Sequence, residues 1–402
     1  VGGAETGAAS RRAAAAASWI FTVVVGVSGA AVAAENAPPS FKEIKIPAVA
    51  DLGAFVRDTN KAILLGKALF WDTQLGSDGQ ACASCHFHAG ADPRVKSQLS
   101  PGLLRENNPD RTFQPAASGG RGGPNYTLVA ADFPFHQFNN PDSRSSGVKF
   151  STNDIASSQG TFGGQFNSIE GMGAVDDCVR VASPIFHING IGARKVEPRN
   201  TPTVINSVFN FRNFWDGRAN NVFNGVDPFG ARSPNAMVLG KNGQPMRLDL
   251  RNSSLASQAS GPPVSDFEMS CTQRTLADVG RKMVKRRALA LQKVHAEDGV
   301  LKGERAANGL GLKKTYQEMI EGAFKEDFWK STASFNGYTQ MESNFSLFFG
   351  LALQMYQATL ISDQAPYDLF ADGKKEPFDP TKGKLDKLTD SARRGLDVFL
   401  DK

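Results

Sequence analysis

At 402 residues the chain is long enough for two or three domains and a sizeable core. Hydrophobic residues make up 41% and charged residues 21%, a balance that excludes wholesale disorder. The net charge of +5 suits weak attraction to an acidic partner and is too small for the basic footprint of a nucleic-acid-binding protein.

The N-terminal stretch sets the compartment. Arg11 and Arg12 precede an apolar run from Ala13 to Ala34, and Ala31, Val32 and Ala33 supply the small residues of a cleavage site. Residues 1–34 therefore read as a secretory signal peptide. The competing reading, a membrane anchor, meets the shortness of the strongly apolar part, Trp19 to Val27, against the length a bilayer demands. No later segment is a stable membrane span. The first residue is Val1, which reads as a non-standard start or a fragment.

After a polar, proline-containing lead-in from Glu35 to Pro47, Ala62, Leu65, Leu69 and Phe70 repeat at helical spacing and predict a helix over Asp58 to Phe70. Gly76, Ser77, Asp78 and Gly79 end it. From about 87 to 198 the texture turns to Gly, Asn, Ser and Pro, as in Gly119 to Pro124, without helical periodicity. Phe133, Phe135, Phe138, Phe162, Phe166 and Phe186 favour a packed, loop-rich insertion over a disordered one. Helical signals return over Leu276 to Val294, with a basic cluster at Arg281, Lys282, Lys285, Arg286 and Arg287. That cluster reads as a solvated helix face, or as a docking patch for an acidic redox partner. Phe345, Phe348, Phe349, Ala352, Met355, Tyr356 and Thr359 mark the core face of a long helix.

The chemistry concentrates in Cys82-Ala83-Ser84-Cys85-His86. Two thiols three positions apart reach the two vinyl groups of one porphyrin, and the adjacent imidazole can ligate its iron, so the motif reads as a site for covalent haem. A zinc site would need more ligands than His88 offers, and a thioredoxin-like pair would need a βαβ context. The ligand on the far side of the iron separates a substrate-accessible haem from an electron carrier. His136 and His187 have apolar neighbours that suit a pocket; His88 is too close in sequence, and His295 follows the basic helix. Met172 is a thioether candidate, and ordinary packed or surface roles remain open for each. Cys178 and Cys271 are left over, and in an oxidising compartment two leftover cysteines most simply pair.

Four segments in order resemble the bacterial dihaem cytochrome c peroxidases and their MauG-type relatives. They are Leu65 to Asp72 running into the haem motif; Arg199 to Asn206 with Phe214 to Ala219; Ala358 to Ser362 with Pro366 to Asp368; and Leu388 and Thr389 with Gly395 to Phe399. The resemblance implies an all-α fold: a cytochrome c-like haem domain over 35–375 carrying the insertion, then over 376–402 a linker and the start of a second cytochrome c-like domain. It implies haem c held by Cys82, Cys85 and His86, one haem in this chain and two in a full-length protein, with calcium between the domains. It further implies reduction of hydrogen peroxide in the periplasm, a cytochrome or cupredoxin as electron donor, and a homodimer. The chain stops at Lys402 without a second motif, which reads as truncation. Aligned from Trp215, Phe223 stands where the family has an acidic residue that moves a proton during O–O cleavage, and Asn213 stands where it has a glutamine. Trp215, Asp216 and Arg218 would shape the haem pocket. A MauG-like oxidase acting on another substrate, such as a protein side chain, and a carrier without a substrate are the alternatives; no catalytic residue is assigned.

Overall fold

The structure is a computed structural model that describes residues 38–95, 99–102, 113–114, 123–169, 174–372 and 388–400. The residues expected to form a signal peptide lie outside these, as does Met172. The chain divides into two compact units, Lys45–Ser362 and a second made of Val1–Ile44 with Asp363–Lys402.

The core of the larger unit starts with α1 (Thr59–Trp71), close to the helix predicted over Asp58 to Phe70. Asp58 caps it, its carboxylate accepting the Lys61 N–H at 3.1 Å. Ala62, Leu65 and Leu69, one helical face, are buried. Beyond α1 come α2 (Cys82–Cys85), α3 (Ser254–Ala259), α4 (Leu276–Met283), α5 (Tyr316–Ala323), α6 (Gln340–Ser343) and α7 (Phe345–Gln357). All thirteen residues of α7 are buried, not merely the predicted face, because α1, α3 and α4 pack around it. Contact between α1 and α7 is backbone-close: a Cβ at Gly66 would sit 1.9 Å from the Ala352 carbonyl oxygen, so only glycine fits.

The turn after α1 is fixed by Asp72, fully buried, which accepts from the Tyr316 hydroxyl at 2.8 Å, the Leu289 N–H at 2.7 Å and the Gln74 N–H at 2.8 Å. A buried carboxylate is tolerated because hydrogen bonds replace its water. This turn leads directly to the cysteine motif.

The all-α expectation is overturned. Helix accounts for only 32% of the structure, and the described residues include five two-stranded antiparallel sheets. Four lie in the insertion: β1 (Leu99–Ser100) with β4 (Ile155–Ala156), β2 (His136–Phe138) with β3 (Val148–Ser151), β5 (Gln165–Ser168) with β6 (Asp177–Val179), and β7 (His187–Ile188) with β8 (Ile191–Gly192). The fifth pairs β9 (Val238–Leu239) with β10 (Pro245–Met246). The physical reason lies in the composition: a Gly- and Asn-rich chain without helical period satisfies its backbone groups by short ladders and turns. Packing of the insertion is real, around a small core of Leu99, Phe113, Leu128, Ile185, Phe186 and Val196. Its aromatics divide: Phe186 is buried, whereas Phe133 and Phe162 are exposed.

Two devices join the insertion to the helical core. Cys178 and Cys271 form a disulfide. Beside it Asp176, whose side chain is shut from solvent, pairs with Arg274 at 3.0 Å and Lys282 at 2.8 Å. The same two cations donate to the Leu75 and Gly76 carbonyls, at 3.0 and 2.8 Å, in the turn before the cysteine motif.

The basic cluster is accordingly no solvated face. Lys282 and Arg286 are buried, and Arg281 lies over the Tyr338 ring at 3.9 Å. The helix that carries the cluster's start ends at Met283 rather than Val294. Among the described residues no helix is long and apolar enough to cross a membrane.

In the second unit, α8 (Pro366–Ala371) opens with the Asp368 carboxylate accepting the Ala365 N–H at 3.0 Å and the Phe41 N–H at 2.8 Å. Its other helix, α9 (Asp390–Leu400), buries none of its residues and exposes Val398 and Phe399.

Candidate functional site

Cys82 and Cys85 begin and end α2, a single helical turn, and His86 follows with its N–H on the Cys82 carbonyl at 2.9 Å. The Ser84 hydroxyl steadies the turn, accepting the Ala81 N–H at 3.0 Å. The insertion closes over the motif from one side: the Ser158 hydroxyl meets the Cys85 carbonyl at 3.3 Å, Asp92 at 2.9 Å and the Thr201 hydroxyl at 2.8 Å. Segment Arg199 to Asn206 closes it from another. There the Pro202 carbonyl lies 2.8 Å from His86 Nδ1. A carbonyl can only accept, so Nδ1 carries the proton and Nε2 is left with its lone pair for a metal.

All three motif side chains line one cavity of about 430 Å³. Phe70, Leu255, Ala259, Met269 and Leu353 supply apolar wall, Phe214 and Trp215 aromatic wall, and Arg199 and Arg218 positive charge. Arg199 lies over the Trp215 ring at 4.4 Å and Arg218 over the Phe214 ring at 4.1 Å, while Asp216 holds Arg218 at 3.0 Å. Phe214 and Gly217 both take positive φ, 64° and 67°, which folds the Trp-Asp-Gly-Arg turn back on itself at the cavity mouth.

Burial sets the protonation of the site. It pushes the Cys82 and Cys85 thiols up to about 12, so both are neutral thiols rather than reactive thiolates at neutral pH. It lowers the His86 imidazole, with the Pro202 bond opposing, which favours the neutral ring that ligates metals. Two carboxyls also line the cavity, Glu197 and Glu268. Burial and then the Glu268 charge raise Glu197 to about 8, and burial raises Glu268.

The donor set fits haem c. Two free thiols three positions apart share one helical turn and one cavity, a neutral imidazole is held by a second contact, and the apolar walls are joined by cations suited to propionate carboxylates. Zinc fits less well: among the described residues no group of three or more His, Cys, Asp or Glu side chains is arranged to hold a metal ion.

None of the other histidines predicted as ligands lines the cavity. His136 and His187 lie exposed on hairpins, the former bonded to the Ser151 hydroxyl at 3.1 Å. His295 is exposed and accepts the Glu297 N–H at 3.1 Å. His88 lines a different cavity with Arg94 and Arg194. Asn213 and the Trp215 turn do border the haem-sized cavity, but Phe223 does not. Its ring is fully buried in the core against Gly350, whose added Cβ would come within 2.7 Å of it. What the sequence reading missed is Glu197, Glu268, Met269 and the Pro202 carbonyl. Pro202 and Glu197 lie in or beside a motif already singled out; Glu268 and Met269 come from a loop tied to the insertion by long-range contacts, the disulfide, the Lys195–Asp266 pair and the Thr161 N–H on the Phe267 carbonyl among them.

No curated protein matches the chain. Residues 179–376 match the family model of the di-haem cytochrome c peroxidases. The match includes the Arg199 and Trp215 motifs and α3 to α7, and begins downstream of Cys82, so the haem motif rests on its own geometry. Over residues 179–376 the chain is therefore similar to the di-haem cytochrome c peroxidases, a family of haem oxidoreductases.

Proposed function

We propose that the chain binds one haem c covalently through Cys82 and Cys85, with His86 as the proximal iron ligand, and reduces hydrogen peroxide with electrons from a small cytochrome or cupredoxin in the periplasm. The observation that carries this reading is the His86–Pro202 contact on the wall of the cavity shared with both thiols. It leaves one imidazole nitrogen committed to the backbone and the other, Nε2, with the lone pair that would hold the iron. Bound there, haem supplies a redox-active iron; the protein's part is to fix its ligand, wall it with apolar and aromatic groups, and balance its carboxylates with Arg199 and Arg218.

Stopped-flow mixing of the half-reduced protein with peroxide tests the reading. A rapid change in the visible spectrum with second-order dependence on peroxide is expected. A low-spin spectrum in every redox state, inert to peroxide, would leave only an electron carrier.

A further inference from the structure

Glu197 and Glu268 approach the cavity from different parts of the chain, and neither follows the Trp-Asp-Gly-Arg turn. Glu197 precedes the Arg199 segment; Glu268 lies in the loop between α3 and α4, next to the disulfide. One carboxylate oxygen of Glu197, Oε1, is shut from solvent with no hydrogen-bond partner among the described residues. An ionised carboxylate left so is far more costly than a protonated one. The charges around the pair do not cancel this. Lys195 and Arg199 favour ionisation of Glu197, but Asp266 and Glu268 oppose it, and Lys195 is engaged with Asp266 at 2.9 Å. Around Glu268 the Ser265 hydroxyl and Arg218 favour ionisation, and burial outweighs them. Both carboxyls line the one cavity, and the charge of Glu268 raises Glu197, so ionising one opposes ionising the other.

We infer that Glu197 and Glu268 are the proton-holding carboxyls of this cavity and supply the proton consumed when the O–O bond of a peroxide-class substrate breaks. This rests on the functional reading above. Hydrogen peroxide, two electrons and two protons give two waters: the electrons come from the small redox donor, the O–O bond breaks, and a proton from the pair lets the departing oxygen leave as water. The carboxylate formed regains its proton from solvent. Phe223, at the position where an acidic residue is expected, is walled into the core and takes no part.

Infrared spectroscopy of the haem-loaded full chain reads the pair without relying on turnover. A protonated-carboxyl band is expected at neutral pH, titrating near 8 and reduced in both Glu197→Gln and Glu268→Gln. Reaction with peroxide in these variants should slow by about a hundredfold or more, the usual worth of a positioned general acid, with haem mass and visible spectrum unchanged. Absence of that band from the unmodified protein at neutral pH overturns the inference, as does an unslowed peroxide reaction in the double variant. Should the unmodified protein carry haem yet ignore peroxide, the functional reading fails instead, and the infrared band still decides whether the pair holds a proton.

Discussion

Replacing Phe223 with glutamate puts a carboxyl into a fully buried site against Gly350 in the hydrophobic core. The expected outcome of Phe223→Glu is a loss of about 3–5 kcal/mol in denaturant unfolding, with no gain in peroxide reactivity. A gain would mean that this position faces the haem after all. Glu197 makes the second prediction at this scale. Its folded value near 8 lies above the ordinary 4.5, so the folded protein keeps a proton that the unfolded chain releases. The associated stability is complete below pH 4.5 and declines as pH rises through 8. Urea midpoints measured across this window should fall with rising pH, and Glu197→Gln should flatten that slope.

Among the elements, the join between insertion and core is the vulnerable one. Asp176 is the shared counter-charge of Arg274 and Lys282, and burial lowers Lys282 to about 8 despite it. Asp176→Asn strands two buried cations and should cost about 3–5 kcal/mol by chemical denaturation; an effect under about 1 kcal/mol would mean that the pairs are solvated. The disulfide closes a separation of 93 residues, and Cys178→Ser with Cys271→Ser should cost roughly 2–5 kcal/mol on chain-entropy grounds. The elements differed in how readable they were. For α1, the Asp58 cap and a regular apolar repeat stood together in thirteen consecutive residues. In α4 the cationic run misled, because Lys282 and Arg286 are buried by an aspartate about a hundred residues upstream that no local pattern announces. Glu268 was illegible for the same reason: its loop reaches the cavity through tertiary contacts, not through any spacing to the cysteine motif.

At the level of the molecule, the sequence led correctly to a packed insertion and to the peroxidase-family match over residues 179–376, and wrongly to an all-helical fold. The family match was legible because it depends on residue identity at fixed short spacing, as in Arg199 to Asn206. Fold class was not, since hairpins of two to four residues, such as β7 and β8, are too short for an alternating pattern to register. The account depends at this scale on a porphyrin bonded to the chain. Intact mass of protein matured in a host that attaches haem c measures it most directly, beside a Cys82→Ser, Cys85→Ser variant. The prediction is a mass raised by one haem that survives acid extraction, and no such addition in the variant. Colourless protein at the mass of the bare polypeptide would contradict it.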